Sequence, residues 1–577
     1  MDFKMKEKIL AVLKSKLLFA LVINLAIMVL CVIITSFVYD SSNDFYNSIN
    51  IAKNHFYYSS SINYIAAVLI GTVQYVFSEI NCFVAAQVFL SYISFTAITF
   101  VFCDKFNSRK AFTFTLVINL LFALNHYSTI NSDRTAALGL IAGFLLVLNA
   151  IHNKRYNLPC WIGVAIICGG SFFNFYYFFV ALGFACAFFF GDLIAKKKYK
   201  LPFRKLFWYF RPFLLMFIFV TLIVLGLNQF SYTINHATDE AENYYEYSAV
   251  VNKINNLPFP SYDDYEEEFN EIGVKSDSDY ELLKNGYYDP EKSLNTETLK
   301  SVSEIQREDN PDLLLYSAGN IFADIASHFS TFDVTAFVTV FFVLLSIVFI
   351  VTHKKRFAFF PAFYIITGFI AGTLIRYFFS GTTPMIYGIW LMMVVLLLYS
   401  FNFDKFRYLR RPIENLRQHN GYWLISCAAM IVMTLSYSIV FVTHVSLPEE
   451  DDKPYHLLEE LGRTPDKYYV FDVPTINDFY THTENYIHPM WGFSEDYLEN
   501  IDSFGYFHNN EDLRKRNLPE NIYQAVLRHN KIYVIDQALV FKKEKYFTEN
   551  YVPNGKNAVY ELIDEFDSYK IYKVVIL

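Results

Sequence analysis

Two carboxylates, Asp40 and Asp44, follow the first long apolar stretch of the chain, in the segment Tyr39 to Ser61. An aliphatic hydroxyl has a pKa far above 7, so a positioned carboxylate can take its proton as the hydroxyl attacks. Asp44, in Asn43-Asp44-Phe45-Tyr46, is the candidate general base, and Asp40 is its alternative or supporting partner. The competing reading is that both acids merely solvate a loop. Arg376 stands near the end of the apolar run Phe357–Phe379, followed by Tyr377 and the turn Ser380-Gly381-Thr382-Thr383-Pro384. A guanidinium there suits a lipid-borne phosphate, because its planar fork binds two phosphate oxygens; the plainer reading is an arginine snorkelling to the interface. Asp133 and Arg134 form an adjacent pair before another apolar run, where a simple helix start competes with ligand binding. Asn174, with Tyr176 and Tyr177, can line a cavity or serve only as a packed polar group.

The elements that must position these residues are membrane spans. Leu17 to Val38 is uncharged and long enough to cross a bilayer, and Lys4, Lys6, Lys8, Lys14 and Lys16 before it place the amino terminus in the cytoplasm. Asp40 and Asp44 then lie just outside. Ile62 to Phe77 is apolar, but a crossing there would put the cluster Lys105, Arg109, Lys110 on the outer side, so it is expected to lie along the outer surface. Further spans are expected at Asn81–Cys103, Ala111–Leu124, Ala136–Ile151, Trp208–Leu227, Val334–Val351, Phe357–Phe379, Met385–Tyr399 and Trp423–Val442. Trp161 to Phe190 has basic clusters at both ends, which calls for two short helices broken near Gly169-Gly170-Ser171. The total is about eleven spans, with the carboxyl terminus outside. The expected fold class is an α-helical polytopic membrane protein with a helical external insertion and a C-terminal external α/β domain.

Four parts follow from this division: residues 1–228, a transmembrane module with the external loop 39–61 and surface helix 62–77; residues 229–330, an acidic helical region; residues 331–445, a second transmembrane module; and residues 446–577, an α/β domain. The acidic region holds 21 Asp or Glu against 6 Lys or Arg. In the last part, Lys467–Asp472 and Lys531–Asp536 read as buried strands, Glu511–His529 as helical, and Val559–Ile563 with Tyr569–Val575 as a closing hairpin. The 54% hydrophobic content fits a membrane protein with sizeable soluble parts. All seven cysteines lie in or beside apolar segments, which excludes a disulfide framework or zinc cluster in the hydrophilic regions. No large basic surface is present to hold nucleic acid, and no phosphate-binding glycine loop points to a nucleotide as direct donor. Asp277-Ser278-Asp279 is the nearest thing to a metal triplet and lacks a further ligand at fixed spacing. The spans carry almost no ionisable groups, so a coupled transporter has no mid-membrane carboxylate to work with.

The layout resembles the C-type glycosyltransferase superfamily, in particular bacterial O-antigen glucosyltransferase-type membrane proteins. The resemblance covers roughly residues 1–399. It is carried by Asp40 and Asp44 after the first span, the turn Asn131-Ser132-Asp133 before the fourth, and Ser171–Tyr177 between two short helices. It implies a membrane glycosyltransferase of the cell envelope that moves a sugar from a polyprenyl-phosphate carrier to a surface glycan or glycolipid. Asp44 or Asp40 would then be the base, with Arg376, Tyr377, Asp133, Arg134 and Asn174 around donor and acceptor. Asp40 and Asp44 are not a DxD pair, so no cofactor is expected and a divalent metal is not implied. The rival expectations are a polysaccharide polymerase or flippase and a non-catalytic assembly protein.

Overall fold

The computed structural model describes residues 15–34, 38–39, 42–54, 62–237, 239–254, 258–287, 289, 291–309, 313–331, 334–353, 355–378, 383–402, 434–435, 438, 454–472, 474–476, 478–479, 500–504, 521–566 and 568–577. Its membrane-sized helices form one bundle. In chain order the first elements are α1 (Lys16–Ile34), β1 (Val38–Tyr39), α2 (Ser42–Asn54), α3 (Tyr64–Val76), α4 (Cys82–Lys105), α5 (Ser108–Ser128), β2 (Thr129–Ile130) and α6 (Ser132–Asn153). They continue as α7 (Leu158–Phe173), α8 (Tyr176–Ala195) and α9 (Phe203–Asn235). After the acidic region come α15 (Val334–Thr352), α16 (Phe359–Phe378) and α17 (Thr383–Ser400). Among the described residues, eight helices are long and apolar enough to cross a membrane: α1, α4, α5, α6, α8, α9, α15 and α16.

Two shorter helices run the full depth beside them. The α7 helix leaves the loop after α6 and ends at Asn174, whose amide donates to Asp133 at the start of α6 (2.7 Å). At one end of α17 the Met385 carbonyl accepts from Tyr177; at the other, the Tyr399 carbonyl accepts from Lys105. With the eight, α7 and α17 make ten traversing helices among the described residues. The expected span Trp423–Val442 lies outside the described residues. The chain is a multi-pass α-helical membrane protein.

One expectation is corrected. The break between α7 and α8 falls at Asn174, not at Gly169-Gly170-Ser171, which continue the α7 helix. Asn174 stops one helix and caps the next, its Oδ1 accepting from the Tyr176 and Tyr177 amides (2.9 and 3.3 Å). The glycines serve packing instead. A Cβ on Gly170 would come within 3.0 Å of the Leu140 amide nitrogen, and one on Gly143 within 2.6 Å of the Gly163 carbonyl oxygen. The α6 and α7 backbones therefore touch, as small residues permit in a bilayer where apolar burial does not drive helices together.

The α3 helix is fastened at one end of the bundle through both its termini. The Asn63 amide donates to the Phe172 carbonyl (2.8 Å) and the Tyr64 amide to Ser231 Oγ (2.8 Å). At the other terminus, Gln74 Oε1 accepts from the Cys82 amide (2.9 Å). Phe172 ends α7 and Cys82 begins α4, and both belong to the end where α6 and α8 start. With 13 residues, α3 spans about 20 Å and runs along that face.

Past the same end, α9 enters the acidic region, folded as α10 (Asp239–Ile254), α11 (Glu266–Glu271), α12 (Asp277–Lys284), α13 (Thr296–Asp309) and α14 (Leu313–Thr331). The C-terminal part comprises α18 (Pro454–Arg463), β3 (Tyr468–Phe471), β4 (Ile501–Ser503), α19 (Ile522–Arg528), β5 (Ile532–Asp536), α20 (Val540–Tyr551), β6 (Ala558–Phe566) and β7 (Tyr569–Ile576). Its five-stranded sheet has the order β4-β3-β5-β7-β6. β3 pairs in parallel with both β4 and β5, while β7 pairs antiparallel with β5 and β6. Successive side chains of a strand point to opposite faces. Tyr468, Val470 and Val534 accordingly share a core with Tyr247, Leu283, Tyr287 and Leu299 of the acidic region. The acidic region and the C-terminal part thus share one hydrophobic core.

Candidate functional site

The pairing of two very short strands builds the site. Val38 and Tyr39 pair in parallel with Thr129 and Ile130, which brings the start of α2 beside the start of α6. Asp44 lies in the first turn of α2 and is buried, at 3% exposure. Its carboxylate reaches across to α6: Oδ2 accepts from the Ser132 amide (2.9 Å) and Oδ1 from the Ser132 hydroxyl. The positive end of the α6 dipole therefore faces an acid carried by another helix. Ser48 Oγ donates to the Asp44 carbonyl (2.9 Å) and closes the turn that presents the acid.

Ser132 is held from below by α4. Gln87 Nε2 lies 3.4 Å from Ser132 Oγ, and Gln87 Oε1 accepts from Thr135 Oγ1 (3.1 Å). Asp44 accepts only, so the Ser132 hydroxyl must donate to it; Ser132 then accepts from Gln87, which in turn accepts from Thr135. All the protons of this row point toward the carboxylate. Beside it, Asn131 Oδ1 caps α6 by accepting from the Arg134 amide (3.1 Å). Asp133 and Arg134 do not form an ion pair with each other. Asp133 takes the Asn174 amide, while the Arg134 side chain turns inward, donating to Asn125 Oδ1 and lying 5.1 Å from the Tyr387 ring centre. Tyr177 is buried, and its hydroxyl donates to the Met385 carbonyl.

The sequence-derived residues thus divide. Asp44, Asp133, Arg134 and Asn174 meet at the end where α6 and α8 begin and α7 finishes. Asp40 lies outside the described residues. Arg376 is engaged by Asp324 of α14, with Nε donating to Oδ2 (2.6 Å) and Nη2 to Oδ1. Tyr377 packs its ring against Phe378 (4.8 Å between centres). The antiparallel contacts of α8 and α16 run through Phe184–Tyr364 and Phe188–Phe360. Twelve residues on from Tyr364, this register carries Arg376 past the start of α8, opposite the last turn of α7, at the same end of the bundle as the Asp44 cluster. Gln87, Asn125 and Tyr387 were not singled out from sequence, and Ser132 entered only as part of a turn. The Asn131-Ser132-Asp133 turn was the one signal that pointed near them.

No group of three or more His, Cys, Asp or Glu residues is arranged to hold a metal among the described residues. The Asp277-Ser278-Asp279 triplet opens α12, where Ser276 Oγ accepts from the Asp279 amide (3.2 Å) and donates to its carboxylate (2.9 Å), as a capped helix start does.

No protein-family model matches the chain, and no curated protein matches it in sequence. Among solved structures it is similar to ArnT from Cupriavidus metallidurans bound to undecaprenyl phosphate, with a TM-score of 0.47 and 8% identity over 96% of this chain and 97% of that one. The apo form of the same protein aligns over the same shares at 8% identity, with a TM-score of 0.36. Eight per cent identity supplies no residue-by-residue correspondence.

Proposed function

We propose that the chain is a C-type glycosyltransferase that takes a sugar from a polyprenyl-phosphate carrier and places it on a hydroxyl of a cell-surface glycan or glycolipid. The observation that carries this reading is Asp44: a carboxylate oriented through both oxygens at the boundary of a membrane bundle. In the reaction, the acceptor hydroxyl attacks the anomeric carbon and the bond from that carbon to the phosphate oxygen breaks. The phosphate leaves on its lipid, and the hydroxyl proton passes to Asp44. Ser132 and Gln87 keep the carboxylate aimed, which spares the reorganisation that a free side chain would need.

The helical body with its α/β sheet is the acceptor-binding part in this reading, and Asp133, Asn174 and Arg134 shape the floor beneath it. The basic residues at the opposite end of the bundle, among them Lys105, Lys154, Arg155 and Lys196, favour a cytoplasmic placement for that end. The site then faces outward, where a nucleotide sugar is absent and a lipid-linked donor is present. The test is donor choice in proteoliposomes. A polyprenyl-phosphate-linked hexose should be consumed with release of polyprenyl phosphate when a surface-glycan extract is supplied, and a nucleotide hexose should not. Consumption of the nucleotide sugar alone would overturn the reading.

A further inference from the structure

We propose that Asp324 is an internal competitor for the anion site at Arg376, occupying the guanidinium fork until the phosphate of a long-chain lipid carrier replaces it. The inference rests on the lipid-linked donor of the preceding section and adds how the affinity for that carrier is set. Nε and Nη2 of Arg376 each donate to one oxygen of Asp324. Arginine presents the same two parallel donors to a phosphate, so one fork cannot hold both anions.

The surroundings favour exchange over a permanent staple. The two side chains keep 22% and 20% exposure, unlike an ion pair sealed in a core. Their neighbours along the helices are outward-facing apolar residues: Phe322 is 65% exposed, Leu374 45% and Phe378 56%. Phe322 also packs its ring on Phe369 of α16 (5.8 Å), so α14 is held there by apolar contact as well as by charge. A ligand arriving sideways with an alkyl chain meets these residues while its head meets the guanidinium. The Asp324 carboxylate is left partly uncovered by the chain, so the pair is not sealed in the core and parting it costs less. When the carrier phosphate departs, the carboxylate returns, and the fork does not retain the spent lipid. The apparent dissociation constant is the intrinsic one divided by the fraction of forks that are open.

The test is direct binding of undecaprenyl phosphate to the purified full chain in detergent, with inorganic phosphate and uncharged undecaprenol as separate arms. Asp324→Asn should tighten undecaprenyl phosphate about tenfold. Arg376→Ala should weaken it, and the double variant should show no gain over Arg376→Ala alone. Asp324→Ser, with a melting curve recorded beside it, separates competition from loss of the α14 anchor; it too should bind more tightly. Unchanged or weaker binding in both Asp324 variants, with wild-type binding intact, overturns the competition and leaves the lipid-linked donor standing. Equal tightening of inorganic phosphate, with no preference for the lipid, overturns the lipid carrier as the competing anion. If no variant binds undecaprenyl phosphate, the donor reading and the competition fall together.

Discussion

Lys543 places one positive charge between two carboxylates, Asp472 and Asp536, with all three side chains at most 7% exposed. The acids end the adjacent parallel strands β3 and β5, and the lysine comes from α20. Removing the cation would strand two buried anions side by side, so Lys543→Met should cost about 3–5 kcal/mol. Asp536→Asn leaves a one-to-one pair and should cost less. Burial raises the Asp536 carboxyl from 3.8 to about 6; Lys543 pulls it down and Asp472 pushes it up. Between those values the folded chain holds a proton that the unfolded chain releases. The stability contributed by Asp536 is therefore present below 3.8 and lost as pH rises through about 6. Melting of the full chain should show the advantage of wild type over Asp536→Asn shrinking across that window, and a constant difference would contradict the assignment. At this scale the sequence was legible where a residue's position follows from its place along the chain, as for Asp44, which sits at an end of the bundle after the first apolar helix. It was not legible for Arg376, because its partner Asp324 is 52 residues away on another helix and leaves no local mark.

Elements were read well where periodicity or length decides them. The apolar runs Lys467–Asp472 and Lys531–Asp536 contain the strands β3 and β5, and the closing hairpin falls where its two runs flank an acidic turn. The helix break was misplaced because Gly169 and Gly170 suit two purposes, ending a helix or letting another backbone approach, and only the neighbour decides. Here the neighbour is α6. Gly143→Leu would drive a side chain into the Gly163 carbonyl, 2.6 Å from the first added carbon. Helix separation or strain of about 1–3 kcal/mol should follow, read as a lower melting temperature in detergent, while Gly226→Leu, whose Cβ meets nothing within 4 Å, should be tolerated. Equal tolerance at both positions would mean that α6 and α7 do not depend on this contact. The pairing of β1 with β2 was beyond sequence reasoning, since two-residue strands carry no period, yet it is what delivers Asp44 to Ser132.

At the scale of the whole molecule, the acidic region and the α/β domain, separated by a transmembrane module in sequence, close on one core. Tyr546 of α20 donates to Asp289 of the acidic region (3.0 Å), and Tyr551 donates to the same carboxylate. Their union was illegible because each half of that core is an ordinary set of apolar residues until the other is present. The account itself stands on what the Asp44 carboxylate does. The most direct measurement is the rate of sugar transfer from a polyprenyl-phosphate-linked donor by Asp44→Asn in proteoliposomes, with expression and carrier binding measured in parallel. Asparagine keeps the size and can still accept from Ser132 but cannot take the proton. Transfer should therefore fall by about 10²–10⁴-fold while folding and carrier binding persist. Transfer at the wild-type rate would contradict the account.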